Sequence, residues 1–361
     1  MVAKQKKVLY IFICIVFCIL YFFIALSPLE EHLHLQPVWT INISENNQEK
    51  KQHPETDHHF LLGKTLGYFD KEGNISQLKS FPFRAAISDS IWTIYTPENT
   101  QINCHTPDGT VFTHIDSTGF PFFEEDRIYI LLPSGNSVSS YSLDGTKQWT
   151  HEEPAIITAF DSSQNGTVIG YSNGKIFYTN NSQSISATFM PGGSNYNVIL
   201  GVAISPNGKY VAALCGLESQ RIIVAQVEKN QTKIIYHEFL TEETKNQSLV
   251  YFSSDNNNVF FDTKNNLIMV NLNNLSSTHL SLNSNAIHIV ECTCNTTNTS
   301  EIIYAILSKN EPNYQVSLVN KNAVLLGNFS FNANNAFIAS ENNSLFVGKD
   351  TIISRMDLIK E

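Results

Sequence analysis

The densest grouping of side chains able to bind a metal is His53-Pro54-Glu55-Thr56-Asp57-His58-His59. Imidazole and carboxylate suit zinc or copper, but ligation needs a preset geometry, and this run lies in a polar segment without one. It reads as solvated linker. Glu124-Glu125-Asp126 offers paired carboxylates of the kind glycosidases use for acid–base chemistry. Its position between two strand-like runs favours a solvated hairpin turn. His114 and His151 follow similar residues in two repeated segments, so one structural repeat position explains both. Asp70, Asp108 and Asp144 are turn formers, since Asp and Gly supply the backbone conformations a tight hairpin needs. No Ser/His/Asp elbow, phosphate-cradling glycine loop or HExxH motif occurs. The sequence therefore assigns no catalytic, cofactor-binding or metal-ligating residue, and the expectation is a protein that is not an enzyme and carries no cofactor.

Outside the N-terminal apolar run the cysteines are Cys104, Cys215, Cys292 and Cys294, with no CxxC pair for a zinc ribbon or a thioredoxin-like motif. Cys292 and Cys294 should share one face of a strand. Their Cα atoms would then lie about 6.5–7 Å apart, a poor fit to a disulfide, so all four are expected as buried free thiols. The formal net charge of −10 excludes nucleic acid as partner, because neutralising phosphates needs a basic surface. Only Arg84, Arg127, Arg221 and Arg355 are arginines, which also counts against an anionic ligand. Asparagine is overused, and the sequons it creates, such as Asn295-Thr296-Thr297, follow from composition.

Val8 to Leu26 is an uncharged apolar run of 19 residues, about 28 Å as a helix and enough to span a bilayer core. Lys4, Lys6 and Lys7 precede it, and Glu30 and Glu31 follow. That asymmetry predicts a cytoplasmic tail over 1–7, a transmembrane anchor over 8–26 and the rest of the chain outside the cytoplasm, periplasmic or extracellular. A cleaved signal peptide is the competing reading. Its apolar core would be shorter, and the site at Ala25-Leu26-Ser27 is followed by Pro28. Residues 27–62 read as a polar tether in which only Val38 to Ile43 looks strand-like.

From residue 63 onward short apolar runs alternate with Asn, Gly, Asp, Pro and Ser, without a helical pattern of useful length. Gly73, Gly109 and Gly145 stand 36 residues apart, each closing a turn between two β-prone stretches. Pro107-Asp108-Gly109-Thr110-Val111-Phe112-Thr113-His114 is echoed by Leu143-Asp144-Gly145-Thr146-Lys147-Gln148-Trp149-Thr150-His151, and Phe81-Pro82-Phe83 by Phe120-Pro121-Phe122. A repeat of about 35–50 residues with four short strands is the pattern of a β-propeller blade. The fold class is thus all-β, a propeller of four-stranded blades over 63–361.

Seven inner-type strands can be counted but eight third-position strands, because Thr65–Phe69 resembles the runs before the later turns. Seven blades are the expectation and eight the alternative, in which the first blade lacks its inner strand. Propellers close by pairing strands from the two termini. The expected closure pairs Ile75–Ser80 with Thr351–Leu358, with Val38–Ile43 as substitute.

Ala203-Ile204-Ser205-Pro206-Asn207-Gly208-Lys209-Tyr210-Val211-Ala212 resembles the hairpin of TolB-like and WD40-like bacterial propellers, with Asn207 where that motif has Asp. Tyr141-Ser142-Leu143-Asp144-Gly145-Thr146-Lys147-Gln148-Trp149 is similar to the tryptophan-containing repeat of quinoprotein (PQQ-type) propellers and BamB-like proteins. These motifs build turns and lock strands, so the resemblance implies fold more than function. The adjacent cysteines of quinone-dependent dehydrogenases and the Gly-His and Trp-Asp pairs of WD40 repeats are absent. The expectation is a non-catalytic scaffold or envelope assembly factor that binds protein or peptide through one propeller face. The alternative is an extracytoplasmic propeller enzyme, a hydrolase or quinoprotein-like, which a ring of convergent polar residues in the central channel would favour.

Overall fold

The computed structural model describes residues 14–18, 20–21, 33–44, 58–182, 184–228, 231–282, 284–295 and 300–360. The expected anchor over 8–26 lies largely outside them. Residues 14–18 and 20–21 are helical, and among the described residues no helix is long and apolar enough to cross a membrane. The possible ligands from His53 to Asp57 also lie outside the described residues.

Eight antiparallel sheets make up the rest. Strand β1 (Leu33–Asn42) precedes blade 1, which contains β2 (His58–Leu62), β3 (Thr65–Phe69) and β4 (Ile75–Ser80). Blade 2 follows with β5 (Arg84–Ile87), β6 (Trp92–Tyr95), β7 (Ile102–His105) and β8 (Val111–Ile115). Blade 3 has β9 (Phe120–Glu124), β10 (Arg127–Leu131), β11 (Ser137–Tyr141) and β12 (Lys147–Glu152). In blade 4 come β13 (Ile157–Ser163), β14 (Gly166–Tyr171), β15 (Ile176–Thr179) and β16 (Ser186–Phe189). Blade 5 is β17 (Ile199–Ile204), β18 (Tyr210–Cys215), β19 (Arg221–Glu228) and β20 (Gln231–Phe239). The strands of blade 6 are β21 (Val250–Phe252), β22 (Asn258–Thr263), β23 (Asn266–Asn271) and β24 (Ser276–Ser281). Blade 7 is built from β25 (Asn285–Asn295), β26 (Ser300–Asn310), β27 (Asn313–Asn320) and β28 (Leu325–Asn332). Blade 8 takes β29 (Ala336–Glu341), β30 (Ser344–Lys349) and β31 (Ile352–Lys360), with β1 as its outer strand.

Each sheet is covered on both faces by its neighbours, so central strands read as continuous apolar runs and outer ones alternate. Every residue of β17 and β22 is buried, whereas β28 alternates between exposed and half-buried positions. The core is divided accordingly into eight apolar clusters, one between each pair of neighbouring blades. The cluster joining blade 8 to blade 1 unites Phe346 and Ile353 with Phe60, Phe69 and Ile75, and it closes the ring.

The expected seven blades are therefore corrected to eight, and the expected closure is corrected as well. Ile75–Ser80 is the outer strand of blade 1, paired with β3, while β31 takes β1, from Leu33 opposite Lys360 to Asn42 opposite Ile352. Trp39 locks the seam. Its ring lies 6.4 Å from Phe69 and 6.0 Å from Phe346, and its indole N–H donates to Lys71 O at 3.0 Å. The segment 27–62, expected as tether, thus contributes both β1 and β2 to the propeller.

Both sequence counts hold once β2 is placed. Seven inner strands run in one direction; β2 takes the inner position of blade 1 but runs the opposite way. His58 at its start meets Glu341 at the end of β29, while Gly63 just beyond its end lies beside Asn335, which precedes β29. Blade 1 has three strands where the others have four, and Thr65–Phe69 still precedes the Asp70–Gly73 turn as a third-position strand would. The glycine cadence is confirmed as backbone chemistry. Gly73, Gly109 and Gly145 have φ of +87°, +90° and +82°, and each donates its N–H three residues back at 2.9–3.0 Å.

Two faces follow from this topology. The hairpin face carries the turns between first and second strands of blades 2–8 and between third and fourth strands of blades 2–7. The connection face carries the remaining turns and the links between blades.

Candidate functional site

The central channel holds a cavity of about 570 Å³ bounded by β2, β5, β9, β25 and β29, a size in the range that takes small ligands. The reversed β2 brings two histidines to its hairpin-face end. His59 donates its backbone N–H to Asp89 Oδ1 at 3.0 Å, and its Nδ1 lies 2.6 Å from the same oxygen. Burial raises the Asp89 carboxyl, but the hydrogen bond and charge of His59 outweigh it and hold the group below the usual carboxylate range. His58 Nε2 is 3.4 Å from Glu341 Oε2, and its ring packs 5.0 Å from Phe346. Across the channel His288 projects into the cavity. The surrounding protein, and then the charge of His59, push its imidazole down to about 4, so it is neutral at pH 7. Leu61, Phe122, Phe337 and Ile338 supply apolar wall between these groups.

Beside the cavity, burial raises the Glu124 carboxyl and pushes Asp161 up to about 7. Asp161 accepts the Ile204 N–H at 2.7 Å, tying blade 4 to blade 5. Asp262, also raised by burial to about 7, does the same from blade 6 to Ala286 of blade 7 at 2.8 Å. These carboxylates are staples between blades.

An imidazole–carboxylate pair such as His59–Asp89 could serve as a base, but it needs a nucleophile within hydrogen-bond reach. Ser340 Oγ donates to Glu291 O at 2.7 Å and Ser88 Oγ to Glu125 O, so neither of these neighbouring hydroxyls is directed at His59. Among the described residues no group of three or more His, Cys, Asp or Glu side chains could hold a metal.

The residues singled out in the sequence fall apart in space. His114 is exposed on β8 against Asn103 at 2.8 Å, whereas His151 on β12 stacks on Phe177 with ring centres 3.5 Å apart. Glu125 is engaged by Arg127 and Gln164 rather than merely solvated. Cys104, Cys215, Cys292 and Cys294 are buried and none forms a disulfide, and the Cys294 thiol donates to Leu358 O at 3.9 Å.

A second feature was not legible in the sequence. The links from blade 4 to blade 5 (190–198) and from blade 5 to blade 6 (240–249) are far longer than the other links along the chain from blade 1 to blade 8, and both lie over blade 5 on the connection face. They are fastened to the turn between β18 and β19. Asn195 bridges Glu218, buried Gln220 bonds Gly216 O and both backbone groups of Thr244, and the Arg221 guanidinium donates to Pro191 O. A side chain at Gly193, where φ is +76°, would collide with that guanidinium at 2.8 Å. On this fastened base Met190, Tyr196 and Leu217 are 50%, 70% and 36% exposed. Tyr196 and Ser219 hold φ of +51° and +49°, a conformation costing about 1–2 kcal/mol per residue for a non-glycine side chain. Exposed charges around the apolar trio are Glu218, Glu242, Glu243 and Lys245.

Ring, closure and apolar seams define a β-propeller. Over residues 1–361 the chain matches the family described as beta-propeller protein, and it belongs to that family. An uncharacterized protein of Treponema pallidum (strain Nichols) is 27% identical over 368 residues, covering 99% of this chain and 96% of that protein. Among solved structures the fold is similar to BamB from Moraxella catarrhalis, with a TM-score of 0.58 and 12% identity over 90% of this chain and all of that one. It is also similar to the computationally designed Ika8 protein, with a TM-score of 0.61 and 13% identity over 85% of this chain and 94% of that one.

Proposed function

We propose that this protein is a membrane-anchored, non-catalytic interaction scaffold of the cell envelope that docks a protein or peptide on the platform over blade 5. The observation that carries this reading is the platform itself. Buried polar side chains fasten it, it bears backbone strain, and it presents Met190, Tyr196 and Leu217 to solvent. Rigid exposed aromatic and Met side chains are the usual anchors of protein interfaces. In the cavity, by contrast, the neighbouring hydroxyls of Ser340 and Ser88 are both turned to backbone carbonyls and away from His59. The likeness to BamB supports the propeller fold and leaves the role to the platform.

The anchor reading rests on the apolar run 8–26 and its lysine bias, and β1 sharpens it. Leu33 begins β1 at the hairpin face, opposite Lys360, so residues 27–32 alone separate the run from the propeller. Six residues reach at most about 20 Å. The hairpin face would then sit against the membrane, outside the cytoplasm, with the platform directed away from it. A photo-crosslinking residue at Tyr196 in the full chain should give one discrete adduct in cells that Leu217→Asp abolishes, while the same residue at Leu143 on the hairpin face does not give that adduct. Adducts indifferent to Leu217→Asp, or a C-terminal phosphatase reporter that stays inactive in cells, would refute the reading.

A further inference from the structure

On the hairpin face a groove of about 370 Å³ opens between blades 3 and 4. It exists because blade 4 is short there. Strands β15 and β16 have four residues each, against six in β12, and the Asn181 side chain turns back to Gln164 O. The outer part of the blade 3 face that carries Ser140 and Trp149 is left only half-covered. The indole N–H groups of Trp39 and Trp92 donate to Lys71 O at 3.0 Å and Thr106 O at 2.9 Å, whereas that of Trp149, in the groove wall, makes no hydrogen bond among the described residues.

The floor is polar and fixed. Arg127, its side chain 14% exposed, donates from Nε to Ser162 Oγ at 3.0 Å and from Nη1 to Glu125 Oε2 at 3.0 Å. Gln164 Nε2 donates to the same Glu125 oxygen at 3.2 Å. Arg127 is thereby neutralised, and exposed Asp126 stands at the mouth, so an anionic ligand is disfavoured. Among the described lining residues Leu143 is the only aliphatic side chain, which disfavours an apolar ligand. What remains is a half-buried aromatic face beside planar donors and acceptors that neighbouring groups hold in place. This combination suits a neutral saccharide, whose C–H face packs on an aromatic ring while its hydroxyls donate and accept in turn.

We propose that the groove between blades 3 and 4 is a saccharide-binding site, with the sugar ring stacked on Trp149 and its hydroxyls bonded to Gln164, Ser140 and Arg127. The site is separate from the platform and stands without it. The test titrates full-length protein, in a detergent free of sugar, with N,N′-diacetylchitobiose, cellobiose and maltotriose, read by tryptophan fluorescence and calorimetry. At least one should bind saturably at or below about 1 mM, with altered emission that Trp149→Phe removes while keeping some affinity. Gln164→Ala should weaken binding about tenfold or more with unchanged melting temperature; Trp149→Ala, which also removes packing on Tyr129, should weaken it at least as much when titrated well below its lowered melting temperature. A parallel titration with vesicles containing a glucosyl diacylglycerol separates a lipid-borne saccharide from a free one. Absence of binding in both arms, or binding indifferent to Trp149→Ala, overturns the proposal.

Discussion

Replacing Trp39 with alanine tests the seam between β1 and blade 1. The ring is half-buried, packed on Phe69 and Phe346 and covering the turn at Gly73, where a Cβ would approach it to 3.1 Å. Removing a fully buried Trp side chain costs about 3–5 kcal/mol, so a half-buried one should cost about 2. The lost bond to Lys71 O adds only about 0.5–1 kcal/mol, because Arg355 Nη1 still donates to that oxygen at 3.1 Å. The sum, about 2–3 kcal/mol, corresponds to a fall in melting temperature of roughly 3–5 °C for a domain of this size. Val38, next in the chain, is 48% exposed, and Val38→Ala should stay within about 0.5 kcal/mol. Urea and thermal unfolding of both variants, followed by near-ultraviolet circular dichroism, gives the comparison. If Trp39→Ala unfolds like the parent, or Val38→Ala is equally damaging, β1 does not close the ring as described.

Gly145→Ala should destabilise by more than about 1–2 kcal/mol, since φ is +82° and a Cβ would meet His114 O and Thr113 Oγ1 at 2.7 Å; chemical denaturation measures it. Asp161 and Asp262 have folded pKa values raised to about 7, above an unfolded value of about 3.9. Their contribution to stability is therefore fully present below about pH 4 and is lost as pH rises through about 7, with a slope of at most about 1.4 kcal/mol per pH unit for each group. Asp161→Asn and Asp262→Asn should each flatten the stability–pH curve across that window, and an unchanged slope would contradict the burial of these carboxyls. The thiols of Cys104, Cys215 and Cys292, raised to about 12 by burial, should react with a thiol-specific chromogen only on unfolding.

The propeller was legible because its turns repeat in types that backbone geometry demands: Gly73, Gly109 and Gly145 need positive φ wherever they stand. Thr65–Phe69 was identified as a strand of third-position type for the same reason. The closure was not legible. Only the second half of β1, from Val38, carries a β-prone pattern, and the stability of that strand comes from pairing with residues more than 300 positions away. Strand β2, His58-His59-Phe60-Leu61-Leu62, begins with two histidines and follows a polar run, so nothing local marks it as an inner strand. The cavity and platform escaped for a related reason. Gln220, Arg221 and Asp89 have no local signature, and each acts only because tertiary folding brings a partner backbone to it.

The placement of every site on the two faces depends on an eight-bladed ring in which β2 runs against the other inner strands. Paired cysteine substitutions report that direction. In protein in which the exposed Cys14 and Cys18 are replaced by serine and the buried native cysteines are kept, His58→Cys with Glu341→Cys and Gly63→Cys with Asn335→Cys should each crosslink rapidly through a short bifunctional reagent. The crossed pairs, His58→Cys with Asn335→Cys and Gly63→Cys with Glu341→Cys, should remain reduced and uncrosslinked. Crosslinking of the crossed pairs in preference to the first two would place β2 parallel to β29 and contradict the fold described.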